Sequence, residues 1–306
     1  MILVTGGLGM IGAHTARALL DLGQEVVVTT HRRTEVPSFL AGRVIVEPLD
    51  VTDRDAFLAL GARHDISDVV HLAGSVPGEN PVDFFRTDTS GLLNALDAAR
   101  AWGVRRCAVA SSLGVYIGRS ETRWHEELDL PTTKLPHLII AFKKAVEPLA
   151  MHSLQGSGVQ PVVLRIGTIW GPLVDPESPF FYIPPYISAV LRGEEPKPLS
   201  ADDGGDCCYA PDAGRAIALL TTAESLAHNV YNVSSGRAYT NRDFADALQT
   251  ITPGLQLDLL PGRQGGPGVD PYLDIARLTD DTGFAPAFDV AQSVADYVAW
   301  RAKNPR

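Results

Sequence analysis

Met1-Ile-Leu-Val4 runs directly into Thr5-Gly6-Gly7-Leu8-Gly9-Met10-Ile11-Gly12, and a stretch of helical character follows from Ala13 to Leu22. In order, this is a short buried strand, a glycine-rich turn and the start of a helix. The glycines at positions 6, 9 and 12 have separate physical tasks. One permits the tight turn, one lets the backbone approach a pyrophosphate, and one lets helix pack closely on strand. The helix N-terminus adds unpaired N–H groups and a dipole that favours phosphate. A strand before the triplet and a helix after it distinguish it from an ordinary turn. The segment is therefore read as a dinucleotide site, with Gly6, Gly9, Met10, Ile11 and Gly12 as its contacts.

Outward from this turn, short apolar runs alternate with amphipathic stretches, the mark of β-α-β units and a parallel sheet. Strands are predicted at residues 2–4, 25–29, 44–47, 68–72, 107–110 and 161–165, and helices at 10–22, 54–60, 87–102 and 139–154. The strands are valine-rich without alternation, which fits a sheet covered on both faces. Pro148 falls inside the last helix and is expected to kink or shift it, because it removes a backbone donor. After Gly171-Pro172 the pattern changes. Residues 173–205 include Pro179, Phe180, Phe181, Tyr182, Pro184, Pro185 and Tyr186, an insertion suited to a substrate wall. A helix is predicted near 186–192, a further apolar periodicity at 213–222 and a strand at 229–233. The tail reads as helix, strand, a Gly- and Pro-rich loop over 261–271, and a terminal helix near 291–302. The fold class is α/β: a Rossmann-type doubly wound parallel sheet with a smaller C-terminal substrate-binding α/β region. Residues 1–171 and 206–235 are assigned to the dinucleotide-binding domain, and 172–205 and 236–306 to the substrate-binding region.

Composition narrows the classes of function. A net charge of −10 argues against nucleic acid as a partner, because that footprint needs clustered Lys and Arg. A small-molecule substrate is compatible with it. Three cysteines, of which Cys207 and Cys208 are adjacent, do not make a disulfide framework. Reduced thiols fit a cytoplasmic protein, and without a companion His/Cys cluster at ligand spacing no metal is expected. No basic-then-apolar leader precedes the first strand, and no apolar run reaches the ~20 residues that span a bilayer. The expectation is a soluble cytoplasmic protein without a membrane partner.

The end of the second strand bears on the choice of dinucleotide. A carboxylate there bonds the ribose 2′-OH of NAD, whereas a nearby arginine accommodates the 2′-phosphate of NADP. Thr30 stands at that position, followed by His31, Arg32 and Arg33. NADP is the preferred cofactor on this reading, with NAD the alternative. The plainer reading of Arg32 and Arg33 is two solvated loop side chains.

Further motifs lie in order along the chain. They are Asp50-Val51, Val70-His71-Leu72-Ala73-Gly74, Gly91-Leu-Leu-Asn94 with Ala98-Ala99-Arg100, and Ser111-Ser112-Leu-Gly-Val115-Tyr116. Leu164-Arg165-Ile166-Gly167-Thr168-Ile169-Trp170-Gly171-Pro172 follows, then Asp274 and Val298-Ala-Trp300. With the glycine turn, they give a chain that resembles the extended short-chain dehydrogenase/reductase family over nearly its whole length. That family contains the nucleotide-sugar epimerases and dehydratases. The resemblance implies an adenine contact at Asp50 and Val51, a floor beneath the cofactor at Leu72, Ala73 and Gly74, and further cofactor contacts at Lys143 and Ile166.

The resemblance also implies that Ser112 bonds the reacting oxygen. A lysine then holds the nicotinamide ribose and lowers the pKa of a tyrosine four residues before it. Lys143 matches by its spacing to Glu147, with Lys144 as the alternative by one residue. The tyrosine position is then Ile139 or Ile140, and neither exchanges a proton. General acid–base help is worth about 10²–10⁴-fold, so a proton must come from elsewhere or the reaction must not need one. Candidate sources are Tyr116, His137, Tyr182, Tyr186, or water ordered by Ser112 and Lys143. Tyr116 belongs to a motif with a structural role, and His137 has the unperturbed pKa that suits proton transfer near neutrality. Substrate contacts are expected at Ser112, Ile139, Thr168, Tyr182 and Tyr186. Ile139 is expected beside the nicotinamide, because residues four apart share a helix face.

Relatives that use nucleotide sugars place a diphosphate-gripping arginine where this chain has Gly205, in Gly205-Asp206-Cys207-Cys208-Tyr209. Sugar 4,6-dehydratases place Asp-Glu where it has Leu113-Gly114. Both departures point away from nucleotide sugars. The expected function is an NADP-preferring oxidoreductase acting on a small carbonyl or alcohol, with an atypical proton donor. The alternatives are a non-redox isomerase or lyase on the same scaffold, and a catalytically silent NADP-binding sensor. The family commonly dimerises through the helices flanking the fifth strand, so a homodimer through 87–102 and 139–154 is expected.

Overall fold

Strands that are apolar on both faces need helices on both faces, and the chain supplies them in alternation. The computed structural model describes residues 1–178, 181–252, 254–264 and 270–304. The first half runs β1 (Ile2–Thr5), α1 (Met10–Asp21), β2 (Val26–Thr30), β3 (Ile45–Pro48), α2 (Arg54–Arg63), β4 (Asp68–His71), α3 (Pro81–Trp102) and β5 (Arg106–Ser112). A 3₁₀ turn (Leu113–Tyr116) leads to β6 (Arg123–Trp124), α4 (Leu138–Leu154), β7 (Gln160–Ile166), β8 (Ile169–Trp170) and α5 (Ile183–Leu191). The rest comprises β9 (Gly204–Asp206), β10 (Cys208–Tyr209), α6 (Ala210–Thr222), β11 (Val230–Val233), β12 (Ala238–Thr240), α7 (Asn241–Ile251), β13 (Tyr272–Leu273), α8 (Ala276–Thr282) and α9 (Val290–Arg301).

The main sheet has the order β11-β7-β5-β4-β1-β2-β3, and every pairing in it is parallel. The winding direction reverses between β1 and β4. In open α/β sheets the crevice outside the carboxyl ends of the strands at such a reversal takes the ligand. One apolar layer lies under α1 and α6, and a second lies between the sheet and α2, α3 and α4. A third cluster, around Trp170, Tyr209 and Tyr297, fills the C-terminal region. Close approach sets the first layer: a Cβ at Gly214 of α6 would overlap the backbone of His14 on α1.

The predicted strands and helices of the first half are present, with shifted ends. Helix α3 begins at Pro81, not 87, because Asn80 caps it by accepting from Val82 N at 3.1 Å. A proline at the first helical position loses no hydrogen bond there. The same reasoning applies to α5, whose Pro184 and Pro185 sit in the first turn rather than before it. Helix α4 continues through the exposed Pro148 as one element. β3 departs from the expected two-sided burial: as an edge strand it leaves Ile45 and Val46 partly exposed. The strand expected in the tail before the loop reduces to a bridge between Ser200 and Leu260, and α8 was not anticipated. Pro179 and Phe180 of the aromatic segment, and residues 265–269 of the Gly/Pro-rich loop, lie outside the described residues.

A buried polar cluster joins α4 to the sheet. Arg165 on β7 donates from Nε to Glu147 Oε1 at 2.9 Å and from Nη2 to Oε2 at 2.8 Å. Ser111 Oγ donates to the same carboxylate at 2.7 Å. Arg165 Nη1 also donates to the Tyr116 hydroxyl at 2.8 Å, and that hydroxyl donates to Asn232 Oδ1 at 2.9 Å. Removing one member of such a pair strands the other's charge, at a cost of about 3–5 kcal/mol, whereas an apolar replacement of both is close to neutral. Arg165→Met is therefore expected to lose about that much stability, and Arg165→Met with Glu147→Leu to recover most of it. Denaturant unfolding of the two variants checks this, and a single-variant loss under about 1 kcal/mol would show the pair to be only a surface-strength contact.

Candidate active site

The glycine turn is built for close approach. Gly6 has φ +65, a left-handed conformation that favours glycine, and its α-carbon faces the backbone of Leu72 and Ala73 on the next crossover. Gly12 carries the tightest packing, since a Cβ there would overlap the Gly6 carbonyl. Gly9 is the N-cap of α1, and a Cβ on it would meet only the Gly6 carbonyl, at 3.2 Å. The side beyond Gly9 is therefore open. The N–H groups of Met10, Ile11 and Gly12 precede the first intrahelical bond, from Ala13 N to Gly9 O at 2.8 Å. This cradle fits a pyrophosphate. Thr5, not singled out from the sequence as a site residue, ties the floor together. Its hydroxyl accepts from Leu72 N and Ala73 N at 3.2 Å each, so its one proton goes to His71 Nδ1 at 2.9 Å. Gly74 lies against Asp88, which accepts from the backbone and hydroxyl of Ser75.

At the other end of the cradle, Thr30 Oγ1 donates to the Arg33 carbonyl, and Arg33 Nη1 donates to Leu8 O at 2.8 Å. Arg33 thus braces the glycine turn, while Arg32 is exposed beside it. Asp50 caps its own loop, accepting from Thr52 N and Oγ1 at 2.9 and 2.7 Å, with His31 Nε2 3.8 Å away. Val51 is fixed by α3: Asn94 Nδ2 donates to its carbonyl at 2.9 Å, and Gly91 leaves the room its side chain occupies. The Gly91–Asn94 motif therefore places the expected adenine contact.

Ser112 ends β5 at the carboxyl edge of the sheet. Its Oγ accepts from Gly114 N at 3.1 Å and caps the 3₁₀ turn, which leaves its proton for another acceptor. Lys143 reaches the same strand, with Nζ donating to Ala110 O at 2.7 Å. Burial lowers its pKa to about 8, against an opposing pull from Asp88. Lys144 instead turns to the loop carbonyls of Pro131 and Lys134. Lys143 is therefore the lysine that meets β5, and Ile139 lies four residues before it on α4. Ile139 is half-buried and packs on the core layer beneath α2, α3 and α4. The side chain that closes on the Ser112 turn is Ile140, whose Cδ1 fills the space that a Cβ at Gly114 would need.

The proposed proton donors do not converge on this point. Tyr116 is fully buried, held by Arg165 and Asn232, and burial pushes its pKa up to about 12. Its candidacy as a catalytic acid is corrected to a structural role. His137 is an exposed residue at the start of α4, and its side chain caps nothing. Tyr182 and Tyr186 line a cleft of about 630 Å³ over α5, apart from the Ser112 turn. Burial pushes Tyr182 up to about 12 and also raises Tyr186. The Thr168 backbone carbonyl accepts from Cys208 N at 2.9 Å beside the β8–β10 pairing, and Ile166 pairs with Ser112. Cys207 and Cys208 are buried thiols with pKa values pushed up by burial. Among the described residues no three His, Cys, Asp or Glu side chains converge on one point, and no helix is long and apolar enough to cross a membrane.

Two histidines in this framework are buried neutral. Burial lowers His71 to about 3 and His14, bonded to Pro172 O at 3.2 Å, to about 4, from 6.5. Both bind protons more readily when unfolded, so their stabilisation is present above pH 6.5 and is lost as pH falls through that value towards their folded pKa. Asp206, raised by burial to about 6, acts in the opposite sense below pH 6. Comparing unfolding free energies at pH 7 and pH 5, the wild type is expected to lose up to about 2 kcal/mol per histidine more than a His14→Gln/His71→Asn variant. Equal losses in the two proteins would contradict neutral burial.

A family model described as the NAD dependent epimerase/dehydratase family matches residues 2–234. The chain is 22% identical to a putative UDP-glucose 4-epimerase of Methanocaldococcus jannaschii, over 100% of both chains. It is 29% identical to a dTDP-glucose 4,6-dehydratase of Streptomyces griseus, covering 99% of this chain and 94% of the relative. A UDP-glucose-4-epimerase from Stenotrophomonas maltophila, crystallised with NAD and formylated UDP-arabinopyranose, has the same fold. It superposes with a TM-score of 0.83 at 20% identity, over 98% of this chain and 97% of that one.

Proposed function

The chain belongs to the NAD dependent epimerase/dehydratase family and is an epimerase-like enzyme, and within that family we propose an NADP-preferring oxidoreductase acting on a small carbonyl that is not a nucleotide sugar. The observation that carries this reading is Lys143, buried against Ala110 O with its pKa lowered to about 8, four residues after an isoleucine. The glycine cradle, the α1 N-terminus, Val51 and the Leu72–Gly74 floor are the groups that would hold the dinucleotide, and the exposed Arg32 would offer its charge to a 2′-phosphate. The nicotinamide, when bound, supplies the hydride. Ser112 donates a hydrogen bond to the carbonyl oxygen. Lys143 holds the proton at Nζ that the oxygen takes up, directly or through one water. The protonated amine is thus the acid, in place of a tyrosine hydroxyl. One feature supports a substrate without a nucleotide: Ile140 closes the space beside Ser112.

The cofactor preference is tested by calorimetry with the two dinucleotides. NADPH is expected to bind at least tenfold more tightly than NADH, and Arg32→Ala to bring the two within about threefold. Those factors correspond to about 1.4 and 0.7 kcal/mol. Equal affinities in the wild type would reverse the assignment.

The chemistry is tested by turnover of one accepted carbonyl with NADPH. If Lys143 must be protonated to act, kcat/KM is expected to be flat below pH 8 and to fall tenfold per pH unit above it. Ser112→Ala is expected to lower kcat by about 10²-fold through the lost donor to the reacting oxygen. Ile139→Tyr is expected to raise kcat by supplying the more usual acid. A wild-type rate that stays level to pH 10 and is untouched by Ser112→Ala would remove both residues from the reaction.

A further inference from the structure

We infer that Arg237 is an anion-recognition residue and that the substrate carries a carboxylate or phosphate beside its carbonyl, an inference that rests on the reductase reading above. Arg237 follows β11 at the carboxyl edge of the sheet, the edge where Ser112 also lies. Ile166 pairs with Ser112 on one side and with Val233 on the other, so these three share one row across β5, β7 and β11. At the usual spacing of parallel strands the row places Val233 about 10 Å from Ser112. The loop after Val233 turns at Gly236, with φ +78, and enters β12.

The turn lays the guanidinium of Arg237 over the ring of Tyr239, 4.6 Å from its centroid. Tyr239 is itself buried, 6.1 Å from the ring of Phe244, so the platform is rigid. A planar cation held by stacking loses little freedom on binding an oxyanion and offers two parallel donors to it. Among the described residues no carboxylate lies within ion-pair distance of Arg237. Arg263, also in the C-terminal region, instead has its charge committed to Asp270. The space beside the platform is open as well. Tyr239 pairs across the strands with Gly205, and nothing lies within 4 Å of where a Cβ at Gly205 would be. A fixed, unpaired guanidinium at the ligand edge of the sheet, next to a vacant side-chain position, is the arrangement that recognises a small anion. Carboxylates and phosphate monoesters share that chemistry.

The test uses the NADPH-bound protein and three probes: 4-oxopentanoate, its methyl ester and dihydroxyacetone phosphate. Binding is read by calorimetry and turnover separately by NADPH absorbance. One of the two anions is expected to bind, and to bind more tightly than the neutral ester. Arg237→Gln is expected to weaken that anion at least tenfold while leaving the ester unchanged, and Arg237→Lys to restore part of the affinity. Whichever anion responds identifies the group. Equal anion affinity in wild type and Arg237→Gln, or failure of both anions to bind, overturns the inference. Because Arg237 is exposed, both variants are expected to unfold at the wild-type denaturant concentration, so a binding loss reads the site. Arg237-dependent binding without NADPH oxidation would sink the reductase reading alone. Turnover of an anion with the same KM in wild type and Arg237→Gln would sink the anion site alone.

Discussion

The carboxylate of Glu147 is the joint on which the site turns. It accepts from Ser111 on β5 and twice from Arg165 on β7, so one side chain of α4 is tied to two neighbouring strands. Lys143 lies one helical turn earlier on α4, and its reach to Ala110 follows from that anchoring. Ser112 follows Ser111 directly, so the hydroxyl proposed to meet the substrate and the hydroxyl that holds the helix are consecutive on one strand. In a parallel strand consecutive side chains point to opposite faces, which lets one serve the core and the next serve the ligand edge. The cluster is costly to desolvate and is compensated by hydrogen bonds to both carboxylate oxygens and from all three guanidinium nitrogens. Its physical return is a fixed orientation for α4.

The opposite wall of the crevice depends on Thr5. Its single hydroxyl gathers Leu72 N, Ala73 N and His71 Nδ1 at the end of β1 and β4. The glycine turn then folds against that knot, with Gly6 meeting the same backbone. Two small polar anchors thus hold the carboxyl edge of the sheet, one bridging β1 and β4 across the winding reversal and one tying α4 to β5 and β7 beside it, and packing between the helices and the sheet fills in the rest.

Much of this was legible in the chain because it is local. The glycine turn, the valine-rich strands and their order, and the segments flanking them all follow from residues within a few positions of each other. Contacts through space were not legible. Spacing alone left Lys143 and Lys144 open, and only burial against β5 for one and a loop carbonyl for the other separates them. Tyr116 stays open between a structural and a chemical role until Arg165 and Asn232, far along the chain, are brought to its hydroxyl. The short strands β8 to β10, β12 and β13 carry two or three residues each, too few for any periodicity to register. Arg237 drew no attention as one arginine in a polar loop, because its meaning comes from Tyr239 beneath it and Gly205 across from it.

Gly114 and Ile140 have an implication for how this site is able to vary. The tip of Ile140 occupies the volume beside the Ser112 turn that any side chain at 114 would need. A larger residue at 114 first requires a smaller one at 140, and a smaller residue at 140 leaves a void against a glycine that cannot fill it. The two positions, twenty-six residues apart in sequence, behave as one variable. A change of size at either position alone leads through an overpacked or underpacked intermediate, so a change at one is expected to be tolerated only together with a matching change at the other.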